Sequence, residues 1–226
     1  MSEKSSENIE SIAILGGTGD LGGGLARQWS RAGYKILIGS RTEEKGKSAA
    51  NDLLSEFPDL NVTGHENLEA ASQADLVVLT VPFAHQLSTL ETVKSGLLGK
   101  VLIDVTVPLM PPKVGTVQLP EMGSAAVMAQ NLLGDEVYVV SAFQNVGAVH
   151  LQEDHSIDCD VLVTGNKRTA RETVIKLVEA VGLRGWHAGP LANAAAAEAL
   201  TSILITINRH HGIDGAGIVI TGEPKK

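Results

Sequence analysis

Short apolar runs alternate with longer segments in which apolar residues recur at helical spacing. Each apolar run ends close to a glycine, a proline or a polar cluster, which is typical of a buried strand. The runs predict strands at Ser11–Leu15, Tyr34–Ile38, Asn61–Thr63, Asp75–Val81, Lys100–Val105, Glu136–Phe143 and Cys159–Thr164.

The segments between these runs are amphipathic and predict helices. In the first of them, Leu21, Leu25 and Trp29 share one face and Gly33 is placed to end the helix. The predicted helices are Leu21–Ala32, Thr42–Phe57, Asn67–Ser72, Gln86–Gly96, Ser124–Leu133, Arg168–Val181 and Leu191–His211. Strands alternating with helices imply right-handed βαβ crossovers. The sequence therefore predicts an α/β fold, a Rossmann-type doubly wound parallel sheet with a small C-terminal α/β portion.

Composition narrows the choice of partners. The formal net charge is −8 and no basic tract offsets it, which argues against nucleic acids and anionic membranes as partners. The polar first ten residues contain no signal-peptide core, and no apolar run approaches the roughly 18 residues of a membrane span. A single cysteine, Cys159, fits a reducing compartment. We therefore expect a cytoplasmic protein.

A glycine-rich turn follows the first predicted strand and opens the first predicted helix. From Gly17 it reads G-x-G-x-x-G: Gly17 permits the tight turn, Gly19 lets a pyrophosphate approach the backbone, and Gly22 allows close packing of helix on strand. The helix N-terminus offers free N–H groups and a partial positive charge to the phosphates. The turn in this context predicts dinucleotide binding.

The residues at the end of the second predicted strand distinguish NAD-binding from NADP-binding sites. NAD-preferring sites carry Asp or Glu there, which accepts hydrogen bonds from the ribose hydroxyls. This chain has Ser40 and Arg41 instead, with Lys45 one helical turn further on. A hydroxyl and two cations suit a 2′-phosphate, which a carboxylate would repel. The predicted cofactor is NADP(H).

Several segments together resemble one family, the F420-dependent NADP oxidoreductases. The resemblance spans nearly the whole chain, including the part that follows the generic nucleotide-binding fold. It is carried by Gly16–Gly22, Ile38–Arg41, Leu79–His85, Ser141–Ala148, Gly189–Asn193, Glu198–Thr201 and Ala216–Ile218.

The resemblance implies hydride transfer between NADP and the deazaflavin coenzyme F420, which acts as co-substrate. It also implies an NADP-binding Rossmann domain (11–142) and a smaller F420- or substrate-binding portion (143–226), and the polar composition of residues 1–10 predicts a disordered lead-in before them. The matching positions are Gly17, Thr18, Gly19, Asp20 and Leu21 at the pyrophosphate, Ser40, Arg41 and Lys45 at the 2′-phosphate, Val81, Pro82, His85 and Ala148 near the ribose and nicotinamide, and Gln144, Val146, Ala216 and Gly217 at the deazaflavin.

No residue is expected to act as a catalytic acid or base, because both cofactors carry their own chemistry and the protein holds them in contact. His150 and His155 lack a third ligand at suitable spacing, so no metal site is expected. Two alternatives remain open: an NADPH-dependent reductase of another acceptor (an imine, a flavin or a metal chelate) and a non-catalytic NADPH sensor. A homodimer is the default assembly.

Overall fold

The computed structural model describes residues 9–153 and 157–222. Within these ranges eight strands and eight α-helices alternate along the chain. The strands are β1 (Ser11–Leu15), β2 (Lys35–Ser40), β3 (Val62–Glu66), β4 (Leu76–Leu79), β5 (Val101–Asp104), β6 (Tyr138–Ser141), β7 (Asp160–Gly165) and β8 (Arg184–His187). The helices are α1 (Asp20–Arg31), α2 (Glu43–Glu56), α3 (Asn67–Gln73), α4 (Gln86–Val93), α5 (Ala125–Leu133), α6 (Ala148–Gln152), α7 (Arg168–Ala180) and α8 (Ala194–His211).

All eight strands belong to one sheet, in the order β3-β2-β1-β4-β5-β6-β7-β8. Every neighbouring pair is parallel except β6 and β7, which run antiparallel. The first six strands have the order of a doubly wound dinucleotide-binding fold, with the switch point between β1 and β4. The predicted fold class is confirmed, and β7 and β8 form the C-terminal extension.

Both faces of the sheet are covered by helices. Side chains alternate along each strand, so Ile12 and Ile14 enter one core while Ala13 and Leu15 enter the other. Helices α1, α2, α6 and α7 cover the first face, and α3, α4 and α5 cover the second. This double burial explains why the strands were recognisable as continuous apolar runs.

The predicted elements are all present, with boundaries shifted by a few residues. Two predicted helices are divided: a 3₁₀ turn (Lys94–Leu97) follows α4, and another (Leu191–Asn193) precedes α8. Strand β8 and helix α6 were not predicted. Strand β8 is a polar edge strand with the sequence Arg-Gly-Trp-His, which has no apolar run, and α6 is only five residues long.

The boundary expected after residue 142 falls between β6 and α6. The sheet and its hydrogen bonds continue across it, because β6 pairs directly with β7. At the other end, residues 1–8 of the expected lead-in lie outside the described ranges. Glu10 already belongs to the fold, since its carbonyl accepts a 2.9 Å hydrogen bond from the amide of Lys35.

One segment, Leu191–His211, is long and apolar enough to cross a membrane by length and composition, with a mean hydropathy of 1.3. The segment also contains Asn193, Glu198, Asn208 and Arg209, so it is not a continuous apolar run. In the fold, α8 within this segment packs against α5, and its Glu198 carboxylate accepts hydrogen bonds from two backbone amides of α5. A core helix of a soluble protein meets the same criterion.

Candidate functional site

A cleft of about 920 Å³ lies at the carboxyl edge of the sheet. Its walls come from the segments that follow β1, β2, β4 and β5, together with one face of α2, which is where doubly wound sheets bind their ligands. The lining comprises Gly16, Thr18, Gly19, Leu21, Ser40, Arg41, Lys45, Ser48, Ala49, Asp52, Asn67, Thr80, Val81, Pro82, Phe83, His85, Ser88, Thr89, Val105, Thr106, Val107 and Leu109.

The glycine turn forms one end of the cleft. Gly16 has a positive φ of 81°, a backbone conformation that favours glycine. A Cβ on Gly22 would lie 2.6 Å from Thr80 Oγ1 and 2.8 Å from Gly17 Cα, so helix α1 can begin here only with glycine at that position. A Cβ on Gly19 would meet only the carbonyl of Gly16, at 3.6 Å, so the space above the turn is open. No side chain caps the N-terminus of α1.

Cationic side chains lie on the β2 side of the same cleft. Ser40 ends β2 and Arg41 follows it, while Lys45 lies in the first turn of α2. Thr42 caps this helix by accepting a hydrogen bond from the amide of Lys45 at 3.4 Å. The cap starts α2 directly after β2 and so holds both cations beside the glycine turn.

The third wall follows β4. Thr80 donates its hydroxyl hydrogen bond to the carbonyl of Leu15 at 2.9 Å, which ties this wall to the glycine turn. Val81 and Pro82 come next, and Phe83–His85 forms a 3₁₀ turn that places His85 at the cleft.

A second group of predicted residues lies next to the end of β5. Gln144 is buried, and its Nε2 donates a 2.8 Å hydrogen bond to the carbonyl of Asp104. Its Oε1 is buried without a hydrogen-bond partner among the described residues. Phe143, just before it, has a φ of 71°, which is rare for a residue with a side chain.

This group includes the segment near the C-terminus of the described chain. A Cβ on Gly147 would lie 2.6 Å from Gly215 Cα, and one on Gly217 would lie 2.6 Å from Cys159 Sγ. The amide of Ala216 donates to Asn208 Oδ1 at 2.9 Å, which ties the segment to α8. The fold therefore brings the 144–148 and 215–217 segments into direct contact.

Most of the predicted dinucleotide residues line the cleft, but three do not. Gly17 is buried beneath the turn, where a Cβ would lie 3.1 Å from the carbonyl of Ile14. Asp20 is exposed, and its carbonyl accepts a hydrogen bond from Gln152. Ala148 begins α6, outside the cleft lining. Of the two histidines considered as a metal pair, His155 lies outside the described residues, whereas His150 is in α6 and contacts the carbonyl of Gly215 at 2.9 Å.

Sequence reasoning missed the residues after β5 and on α2. The segment from Val105 to Leu109 forms a full wall of the cleft, and Asp52 and Asn67 contribute to the β2 side. The rule that ligands bind beyond the carboxyl ends of strands would have found the β5 segment. No local signal identifies Asp52, because only the packing of α2 turns it toward the cleft.

Two buried carboxyl groups lie behind the cleft. Asp104 is fully buried at the end of β5, and burial raises its pKa against the opposing hydrogen bonds from Thr106 and Gln86. Glu198 is 1% exposed, and burial raises its pKa to about 8 although the amides of Ala125 and Ala126 donate to it. Among the described residues, no group of three or more His, Cys, Asp or Glu side chains could hold a metal ion.

Comparisons of the sequence and of the fold with known proteins indicate the same family. Residues 11–108 match the family model described as NADP oxidoreductase coenzyme F420-dependent. The F420-dependent NADP reductase of Methanothermobacter marburgensis is 42% identical over 95% of this chain and 99% of its own length, and that of Methanocaldococcus jannaschii is 41% identical over 93% and 97%. A crystal structure from Arthrobacter sp. FB24, assigned as an F420-dependent NADP reductase, superimposes with a TM-score of 0.81 at 26% identity, covering 95% of this chain and all of that one.

Proposed function

The chain belongs to the family of coenzyme F420-dependent NADP oxidoreductases, and from that premise we propose that it transfers a hydride between NADP(H) and F420 bound side by side. One observation carries the proposal. The 144–148 segment reaches the end of β5, where Gln144 donates to the carbonyl of Asp104 and the next residue, Val105, lines the cleft, and the same segment contacts Gly215 through Gly147.

The cleft fits an NADP dinucleotide. The open space above Gly19 and the uncapped start of α1 suit a pyrophosphate, which would accept hydrogen bonds from free backbone amides. Arg41 and Lys45 suit the 2′-phosphate, since both cations lie on the β2 side and neither forms a salt bridge with another described residue. Val81, Pro82 and His85 extend the cleft towards β5, where the nicotinamide would lie.

The neighbouring segments fit the polar edge of a deazaflavin. Gln144 Oε1 is a buried acceptor that lacks a partner in the described structure, and a ring N–H would satisfy it. The carbonyl of Gln144 accepts a 2.8 Å hydrogen bond from Thr201, so its backbone is fixed from α8. Val146, Ala216 and Gly217 would supply apolar and backbone contacts to the ring.

The chain's own part in the reaction is positioning. When bound, the two cofactors supply both the hydride donor and the acceptor, so no side chain has to abstract a proton from an alcohol. The glycine turn and the two cations would fix one cofactor, and Gln144 with the 215–217 segment would fix the other. Holding the reacting carbons in near-attack contact lowers the entropic part of the barrier.

The test is a spectroscopic assay of the purified protein with NADPH and F420, and in the reverse direction with NADP+ and reduced F420. We expect the deazaflavin absorbance to fall only when the protein has both NADPH and F420. The same assay with a flavin, a cyclic imine and a ferric chelate tests the other acceptors. Turnover with one of these but none with F420 would show that the proposed reaction is wrong, and tight NADPH binding without any turnover would favour a sensor.

We also propose that the protein is a cytoplasmic homodimer. Apolar side chains are exposed on the loop after β5 and on α8, including Met110, Met122 and Ile203, which are about half exposed. Association of two copies through these elements would remove the exposed apolar side chains from water. Light scattering coupled to size-exclusion chromatography tests the assembly, and a monomer at micromolar concentration would contradict it.

A further inference from the structure

A second pocket lies at the middle of the loop that forms the β5 wall of the cleft. It has a volume of about 490 Å³ and lies between this loop and the last turns of α8. We call it the cationic pocket, because three of its six lining residues are basic and none is acidic. Its lining comprises Lys113, Gly115, Thr116, Thr206, Arg209 and His210.

The pocket is held in shape by contacts between loop and helix. The amide of Thr116 donates to the carbonyl of Lys113 at 3.0 Å, which closes a turn. Thr206 donates its hydroxyl hydrogen bond to the carbonyl of Gly115 at 2.9 Å and so fastens this turn to α8. A Cβ on Gly115 would lie 2.7 Å from Thr206 Oγ1, so glycine lets the turn lie directly on the helix.

The two strongest cations of the pocket are unpaired. Neither Lys113 Nζ nor the Arg209 guanidinium forms a hydrogen bond or an ion pair with any other residue in the ranges 9–153 and 157–222. They face a shared pocket in a chain whose net charge is −8. The Thr116 hydroxyl also lines the pocket and can donate to an anion, whereas the Thr206 hydroxyl already donates to a backbone carbonyl.

The pocket is connected to both parts of the proposed active site. Its loop begins in the cleft at Val105 and reaches Lys113 a few residues after Leu109. On α8, Asn208 holds the amide of Ala216, and Arg209 is the next residue along the helix. The 215–217 segment and the cationic pocket therefore both lie at the last turn of α8.

We propose that the cationic pocket binds the anionic tail of F420, its phosphodiester and glutamate carboxylates. This inference rests on the proposed function, since it assigns a second binding region to the same co-substrate. Lys113 and Arg209 would pair with the tail, and the Thr116 hydroxyl would donate to it. The deazaflavin ring would stay at Gln144, so the tail would add affinity without changing the geometry of hydride transfer.

The experiment measures dissociation constants by isothermal titration at low salt, with three ligands. These are F420, the deazaflavin riboside that lacks the tail, and inorganic phosphate. The proteins are the wild type, Lys113→Gln, Arg209→Gln and the double variant. Lys176→Gln, on the exposed side of α7, removes the same charge elsewhere and serves as the matched control. Thermal unfolding of each variant checks that it folds.

We expect the wild type to bind F420 more tightly than the riboside. Each single substitution should weaken F420 binding by about three- to tenfold, in the range of charge-assisted contacts at a partly exposed site. Riboside binding should be unchanged in all variants, and Lys176→Gln should behave as the wild type. Raising the salt concentration should reduce the difference between the two ligands.

Three outcomes would overturn the inference. Equal affinity for F420 and the riboside, with no effect of the substitutions, would leave the proposed function intact and refute the tail site. Phosphate binding that depends on Lys113 and Arg209 without any effect on F420 would assign the pocket to a free anion. If neither deazaflavin binds, the proposed function and this inference are both wrong.

Discussion

Gly46 of α2 and Gly64 of β3 touch through bare backbone, because a Cβ on Gly64 would overlap the carbonyl carbon of Gly46. This contact lets α2 lie directly on the edge of the sheet. Lys45 precedes Gly46 in α2. The distance between the Lys45 side chain and the glycine turn therefore depends on how closely α2 packs on β3.

Gly64→Ala should therefore affect both stability and NADPH binding. The added methyl group would push α2 away, at a cost of about 1–3 kcal/mol for overpacking, and would move Lys45 from the cleft. Urea unfolding and NADPH titration measure the two effects. Gly23→Ala is the matched control, since its Cβ would meet neighbours only at 3.7 Å. That variant should be at least as stable as the wild type, because alanine favours a helix.

Arg41→Ala should reduce the preference for NADPH over NADH. Loss of a charge-assisted hydrogen bond to the 2′-phosphate corresponds to roughly a 10- to 100-fold fall in kcat/KM for NADPH. The value for NADH should hardly change, because NADH has no phosphate there. Lys47→Ala removes the same charge from α2, but Lys47 pairs with Glu43 on the exposed side. An unchanged preference in Arg41→Ala would refute the assignment of the 2′-phosphate site.

Glu198 should make the protein less stable as the pH rises from about 4.5 to about 8. Its pKa is raised from 4.5 to about 8 by burial, so the folded state binds more protons than the unfolded state within this window. The stabilisation is complete below the lower value and is lost as the pH passes the upper one.

Glu198→Gln tests this linkage, because the amide resembles the protonated acid. Urea unfolding at pH 5 and pH 8 should give a smaller difference for the variant than for the wild type. Burial also raises the pKa of Asp104, so part of the pH dependence of the free energy of unfolding should remain in both proteins. If the free energy of unfolding changed equally between pH 5 and pH 8 in the two proteins, Glu198 would not contribute to the pH dependence.

Asp160→Asn should destabilise the C-terminal part of the sheet. The carboxylate accepts hydrogen bonds from Arg184, the Trp186 indole and the amide of Ile220, at 2.7–2.8 Å. Asp160 is buried but Arg184 is about half exposed, so solvent screens the ion pair, and we expect the loss of hydrogen bonds to the charged acceptor to cost about 1.5 kcal/mol. Glu172→Gln breaks the exposed pair with Arg168 and should cost less than about 1 kcal/mol. Chemical unfolding compares the two, and equal losses would show that the Asp160 contacts add little.

The pattern of the sequence predicted those parts of the fold that depend on local chemistry. Buried parallel strands read as apolar runs, and the glycine turn with Ser40 and Arg41 predicted one end of the cleft. Strand β8 was not predicted, because Arg184–His187 has no apolar run and pairs with β7 at the sheet edge. Its position follows from its pairing partner rather than from its own residues.

Other features of the site depend on contacts between distant segments. Nothing local to Gly147 or Gly215 indicates that their backbones touch, and the resemblance to a family, rather than periodicity, suggested that both segments serve one ligand. The burial of Glu198 beside the start of α5 likewise follows from the packing of α8. Such contacts join residues that are far apart in the sequence. The pattern of neighbouring residues therefore does not predict them.

The unbroken sheet also has a consequence for how the protein moves. Because β6 is bonded to β7, the two parts of the chain that face the proposed cofactors share one rigid platform, and hinge bending between them would require strand hydrogen bonds to break. The spacing of donor and acceptor is then established once, during folding, rather than at every catalytic cycle. We therefore expect turnover to be insensitive to solvent viscosity beyond the effect on cofactor diffusion, unlike that of enzymes whose domains must close.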